Sequence, residues 1–314
     1  MFNQKNVNLA KTVIDEYNQK AIVERYSELD GFKPAEEYLC KKYFIEKGRV
    51  LVVGCGAGRE SIALAKNGFE VIGVDIAENM INAAKEKGKE LGLPVSFLQV
   101  DAQYICFKES AFNYIVMFGS LLSYIPRRKN RIRALAESGQ ALAPNGILIV
   151  SFLKYSFFFS PIFYIYKNLT YFSNLFLNNF QRDVRFYNKI KCFKEETLTQ
   201  YRYFKAVSIN IIIATLFKLW IKMIRSFHKD YYSEIEDGDL LWVNEWFPGK
   251  MENRIYFHLY TYDEMLKDID NAGYKILDCK YDGECDRRYN GINLIKEGST
   301  FVYFVLQKRC GIKT

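Results

Sequence analysis

Val50-Leu51-Val52-Val53-Gly54-Cys55-Gly56-Ala57-Gly58-Arg59-Glu60-Ser61 is the stretch on which the fold turns. A short, fully apolar run rich in β-branched residues reads as a strand buried on both faces. Glycines at alternate positions then break it, and Glu60 to Lys66 is compatible with a helix. A strand-to-helix turn this sharp needs residues without a Cβ. They adopt unusual dihedrals and let a ligand lie against the main chain. The helix start adds unpaired N–H groups and the positive end of a dipole. The pattern therefore predicts a site for a nucleotide-like ligand.

The spacing narrows the ligand. A dinucleotide fingerprint reads G-x-G-x-x-G, whereas here the third glycine comes one residue early and Arg59 follows it. The P-loop lysine pattern is absent as well. The G-x-G-x-G form resembles motif I of class I S-adenosylmethionine-dependent methyltransferases. Downstream segments extend the resemblance in order. Glu70–Asp75 is a second apolar strand, whose terminal carboxylate comes seventeen residues after Gly58 and can accept ribose hydroxyls. Asp75-Ile76-Ala77-Glu78 also reads as a capping box opening the next helix. Val95–Ala102 is a third strand ending in an acid, Asn113–Ser120 a fourth, and Leu142–Ser151 a fifth entered through Pro144 and Gly146. The resemblance covers residues 48–153. It implies S-adenosyl-L-methionine as cofactor, held by Gly54, Cys55, Gly56, Gly58, Asp75, Ile76, Met80, Asp101, Ala102, Phe118 and Gly119. One position departs from the family. Val52 stands where an acid usually helps hold the methionine end, which leaves the cofactor's amino group to carbonyls or other side chains.

Charge and aromatic residues are unevenly spread. Between Lys154 and Lys229 there are 13 Lys/Arg against 3 Asp/Glu, a balance of +10, while the rest carries 31 against 33. The same segment holds 20 of the 51 aromatic residues. Such a break marks an inserted unit. The seven cysteines (40, 55, 106, 192, 279, 285, 310) form no C-x-x-C pair, which suggests reduced thiols and excludes the three-cysteine motif of radical enzymes. No charged start precedes an apolar core, so a cytoplasmic location without a secretory leader is expected.

The expected fold is α/β, a doubly wound, seven-stranded, mostly parallel sheet with an aromatic and basic insertion after the fifth strand. Four regions are expected: a helical cap over 1–47, the cofactor-binding core over 48–153, the insertion over 154–255 and completion of the sheet over 256–314. Residues 9–28 and 34–46 read as two helices whose Tyr17 and Tyr26 could close over the cofactor. Arg127 to Ala141 reads as a basic helix. Thr261–Glu264 is a second capping box, and the strands Tyr274–Tyr281 and Thr300–Gln307 follow. Val207–Phe227 reads as a helix with Lys218, Lys222, Arg225 and Lys229 on one stripe, too short in its apolar part to span a bilayer. It reads as a lid, and peripheral contact of 207–229 with anionic lipid is the sharper alternative.

Methyl transfer from a sulfonium is an in-line displacement that needs alignment and exclusion of water, and no metal. A base is needed only where the acceptor must lose a proton early. Of the two histidines, His228 lies on the lysine stripe, and His258 precedes the capped helix, where methyltransferases of small molecules line their acceptor pocket. His258 and Tyr260 are the catalytic candidates. Tyr124, Ser123, Asn244 and Glu245 are weaker pocket residues. Phe118-Gly119-Ser120-Leu121 lacks the proline pair of enzymes that methylate exocyclic base amines. The leading expectation is a methyltransferase acting on an oxygen or nitrogen of a small molecule, lipid-like acceptors included. The alternatives are a tRNA methyltransferase that uses the basic insertion, with a faint resemblance around Gly238-Asp239, Trp242 and Tyr256 to Tyr260, and a catalytically inactive cofactor-binding module. Oligomeric state is not legible.

Overall fold

The computed structural model describes residues 8–153, 236, 239–243, 254–285 and 301–309. Its strands are β1 (Arg49–Val53), β2 (Glu70–Asp75), β3 (Val95–Gln99), β4 (Phe112–Met117), β5 (Leu142–Leu153), β6 (Asp239–Val243), β7 (Arg254–His258), β8 (Tyr274–Tyr281) and β9 (Phe301–Lys308). Seven of them form one sheet in the order β3-β2-β1-β4-β5-β9-β8. The pairings among β1 to β5 are parallel, and β9 runs antiparallel to both β5 and β8. The chain moves outward from β1 to β3 on one side and from β4 to β5 on the other. That reversal opens a crevice beyond the carboxyl ends of β1 and β4, the usual ligand position in such sheets.

The apolar run of β1 explains its central place. Leu51 and Val53 enter one core cluster, with Leu148 and Val150 of β5, while Val50 and Val52 enter the other, with Ile149. Residues 50–53 are at most 1% exposed. Burying a side chain of this size contributes about 1.5–3 kcal/mol, so the strand is held from both faces. One face is covered by α6 (Arg128–Ala141) and α7 (Tyr262–Asn271) through Ala134, Leu135, Met265 and Ile269. The other is covered by α3 (Pro34–Tyr43), α4 (Arg59–Lys66) and α5 (Glu78–Glu90) through Leu39, Ile62, Leu64 and Ile81. The doubly wound sheet predicted from sequence is thus observed.

Several boundaries differ from the sequence reading. The helix expected over 9–28 is two helices, α1 (Leu9–Tyr17) and α2 (Lys20–Ser27). The break at Asn18 docks on the start of α5, where its side-chain oxygen accepts the Asn79 N–H at 2.9 Å and its carbonyl accepts the Asn79 side chain at 2.7 Å. The third strand stops at Gln99 because Asp101 caps its own turn, accepting the Gln103 N–H at 2.9 Å. Two compact units divide the chain, one of residues 1–155 with 234–314 and one of 156–233. Strand β6, inside the range 154–255 expected for the insertion, belongs to the first unit together with its partner β7. The second unit lies outside the described residues, as do the stripe on Val207–Phe227, His228, Asn244 and Glu245.

Candidate active site

The glycine turn at the end of β1 is built as the sequence demands, but its glycines do different work. Gly54, Gly56 and Gly58 have φ of +74°, +52° and +90°. A Cβ on Gly58 would lie 3.0 Å from the Phe97 ring and 3.2 Å from Ala84, so this glycine lets α4 pack on its neighbours. A Cβ on Gly54 would meet Leu121 at 2.7 Å. Gly56 alone of the three has room for a Cβ, whose nearest neighbour would be the Tyr26 ring at 3.7 Å. The main chain is pinned from behind, because the N–H groups of Gly54 and Cys55 both donate to the Val74 carbonyl, at 2.8 and 3.0 Å. Cys55 turns its side chain into the core, where it is 2% exposed, so only its backbone belongs to the turn surface.

Asp75 closes the cradle from the tip of β2. One carboxylate oxygen accepts the Gly56 N–H and the other the Ala77 N–H, each at 2.9 Å. Burial pushes the carboxyl up from its ordinary range, and the N–H groups of Ala77, Gly56 and Ile76 oppose that shift. The capping box expected at Asp75–Glu78 does not form. Helix α5 starts at Glu78 with Ala77 at its cap and no side-chain cap bond, because the carboxylate is drawn across to Gly56 instead. Each oxygen keeps a lone pair for a ribose hydroxyl. Beside it, Ile76 and Asp101 are half-buried, Asp101 also holding the Gln103 amide at 3.2 Å. Met80 is fully buried with Ala57, Ala77 and Ile22, forming the apolar floor under α2.

The first two helices bring aromatic residues to the same place. Tyr26 stands over Gly56, Tyr17 packs edge-on against it at 5.7 Å, and Tyr124 packs edge-on against Tyr17 at 5.5 Å. Tyr124 belongs to the turn after β4, where Gly119 is exposed with φ +64° and the Ser120 N–H donates to Ser151 at 3.0 Å. The Phe118 ring packs against Tyr303 in the core, so that position can offer only its main chain to the crevice.

Residues 50–146 match the family described as a methyltransferase domain. That segment carries a methyltransferase domain, and the sheet it belongs to has the class I methyltransferase fold. It is similar to the YqeM protein of Bacillus subtilis (strain 168), described as a methyltransferase, at 33% identity over 40% of this chain and 51% of that protein. It is also similar to the ubiquinone biosynthesis O-methyltransferase of Pseudoalteromonas translucida, at 31% identity over 38% and 54% of the two chains. The chain thus spans about half the length of the curated relatives it matches. A solved S-adenosylmethionine-dependent methyltransferase from Methanosarcina mazei shares the fold with a TM-score of 0.54 at 18% identity, covering 89% of this chain and 99% of that one. The donor of this family fits the observed set: the left-handed main chain at Gly56, an adjacent carboxylate on Asp75, and the half-buried Asp101 just beyond β3.

The structure holds His258 in a way the sequence did not suggest. The ring is fully buried, with Nδ1 2.7 Å from Asp239 and Nε2 3.1 Å from Glu264. Burial pulls its pKa down, but bonds to the two carboxylates outweigh that and hold it above the usual histidine value. Both ring nitrogens of His258 are thus engaged inside a buried network, Nε2 also lying 3.4 Å from the Arg131 guanidinium. Tyr260 is equally buried, edge-on to His258 at 4.7 Å and to Phe152 at 4.8 Å, and burial drives its hydroxyl well above the ordinary phenol range. Ser123 is buried too.

Around His258 lies a charge network that no motif announced. Arg131, fully buried on α6, reaches Glu236 at 2.9 Å, Glu264 at 3.4 Å and the Tyr256 hydroxyl at 3.3 Å. Tyr256 donates to Asp239 at 2.7 Å. Glu236 also accepts the Arg128 N–H at the start of α6, and Arg128 reaches Asp268 at 2.6 Å. The capping box at Thr261 forms by half. Thr261 accepts the Glu264 N–H at 3.2 Å, but the Glu264 carboxylate turns to His258. Glu264 is depressed below its ordinary value: burial raises it, and His258 and Arg131 more than reverse that. The one sequence signal available was an arginine on the apolar stripe of α6.

Proposed function

We propose that this chain transfers a methyl group from S-adenosyl-L-methionine to an oxygen or nitrogen of a small-molecule acceptor. The observation that supports the reading is the room at Gly56 between Asp75 and the tyrosines, where, among the described residues, a Cβ would meet only the Tyr26 ring, at 3.7 Å. When bound, the donor supplies an electrophilic methyl on a cationic sulfur. The protein's share is to hold and align. Gly56 and the turn would support the methionine end, Asp75 the ribose, and Ile76, Met80, Asp101 and Ala102 the adenine. The exposed Gly119 main chain and Tyr124 border the side from which an acceptor approaches. Tyr17 and Tyr26 exclude water from the methyl.

Two observations favour a small acceptor that needs no strong base. His258 and Tyr260 are sealed in the buried network, so alignment supplies most of the rate. The ubiquinone biosynthesis O-methyltransferase, by its name, acts on an oxygen of a small molecule. The test is transfer of labelled methyl from the donor to separated cell fractions. Label in the small-molecule fraction is expected. Label confined to RNA or protein would refute the acceptor class, and absence of donor binding by calorimetry would refute the site.

A further inference from the structure

The short helix that carries Tyr26 has both of its ends fastened to one neighbour. Helix α2 has eight residues, and a helix of that length has little stability of its own in water. Ile22, Val23 and Tyr26 pack with Ala57 of the glycine turn, with Ala77, and with Met80 and Ala83 of α5. At the entry to α2 the tie is a pair of hydrogen bonds. Helix α5 starts on Ala77 without a side-chain cap, so the N–H groups of its first turn need partners from outside. Asn18 supplies one: its side-chain oxygen accepts the Asn79 N–H at 2.9 Å, and its carbonyl accepts the Asn79 side-chain amide at 2.7 Å. At the exit, the Lys87 ammonium donates to the carbonyls of Ser27 and Leu29, at 2.9 and 2.8 Å. A cation on the last carbonyls of a helix also suits its dipole. On either side of this strap the chain is anchored elsewhere. Leu9 and Val13 of α1 pack on Tyr256, and the Gly31 carbonyl accepts from Arg59 at 3.0 Å.

We propose that Asn79 and Lys87 are positioning residues for the methyl donor, seating α2 so that the Tyr26 ring lies against the Gly56 turn. This rests on the reading of Gly56 as the donor's place. The two residues act through Tyr26, which would stand 3.7 Å from a Cβ on Gly56, and through Tyr17, edge-on to Tyr26 at 5.7 Å. The same bonds relieve Asp75 of capping. With Asn18 on the first turn of α5, the Asp75 carboxylate turns to the Gly56 and Ala77 N–H groups. Fastened, the strap slows the escape of a bound donor. Unfastened, α2 lifts while the sheet and α5 stay folded, because opening a marginal element costs far less than unfolding the whole.

The experiment follows release of radiolabelled S-adenosylmethionine into an excess of unlabelled donor, for wild type, Asn79→Asp and Lys87→Met. An aspartate cannot donate to the Asn18 carbonyl, yet it suits the first turn of a helix and so leaves α5 intact. The methionine keeps the apolar stem of Lys87 and removes the ammonium. Each variant is expected to release the donor roughly 3–10-fold faster, the worth of the bonds lost. Each also makes the protein more negative, which by itself would hold a cationic donor more tightly, so faster release reports the strap and not the charge. Hydrogen exchange gives the second readout: amides of Lys20–Ser27 should exchange faster in the variants, and those of β1 should not. Release at the wild-type rate in either variant overturns the role of that residue and leaves the donor site standing. Faster release with equal loss of protection in β1 overturns the inference too, because the residue then acts on the fold at large. Failure of wild type to bind the donor overturns the inference together with the reading of Gly56.

Discussion

Replacing single glycines of the turn by alanine separates the packing glycine from the binding glycine. At Gly56 the backbone lies in the left-handed region, where a Cβ costs about 1–2 kcal/mol, but its surroundings offer room, with the Tyr26 ring 3.7 Å away. For a domain of this size that corresponds to a fall in Tm of about 2–8 °C. At Gly58 the same strain is joined by contacts of 3.0 and 3.2 Å with Phe97 and Ala84. Overpacking of that kind adds about 1–3 kcal/mol, for a total of about 2–5 kcal/mol. The order for binding is the reverse. The alanine methyl at Gly56 would stand in the cradle, and losing a close main-chain contact worth about 1.5–3 kcal/mol weakens the donor roughly 10–100-fold. Gly56→Ala should therefore be folded and blind to the donor, while Gly58→Ala should be the less stable of the two. Differential scanning fluorimetry with and without S-adenosylmethionine reads both quantities. A Gly56→Ala protein whose Tm still rises with donor as in wild type would refute the placing of the donor at Gly56.

Other consequences are equally direct. Asp75→Ala removes the acceptor for Gly56 and Ala77 together with the ribose contact, and calorimetry should show donor affinity lower by more than about tenfold. His258 gains protons on folding, so its contribution is complete below the usual histidine value near 6.5 and is lost as pH rises through its higher folded value. Melts of wild type should fall across that window, while His258→Gln melts lower at pH 6 and loses the slope. Glu264, depressed on folding, contributes above its ordinary value of 4.5 and is lost as pH falls through its lower folded value, so stability should also drop on the acid side. Arg131→Leu strands Glu236 and Glu264 and should cost about 3–5 kcal/mol by denaturant titration. An effect below about 1 kcal/mol would show that the network is not coupled to the fold.

What could be read from residue order alone was the part governed by local rules. The β-branched run 50–53, the glycines behind it and the acids closing β2 and β3 each impose a backbone form within a few residues, and their spacing implied the parallel sheet and its ligand edge. Side-chain destinations obey no such rule, because they depend on which elements meet. Asp75 left its cap for Gly56, Glu264 left its capping box for His258, and Arg131 on a basic helix proved wholly buried. His258 looked like a base in a linear reading. Only the approach of Asp239, 19 residues before it, and of Glu264, six after, shows both its ring nitrogens engaged in the buried network. Tertiary contact also decided that Gly56, and neither Gly54 nor Gly58, has room for a Cβ without a close contact. The distinction lies in the positions of Leu121, Phe97 and Ala84, which come from other elements of the chain.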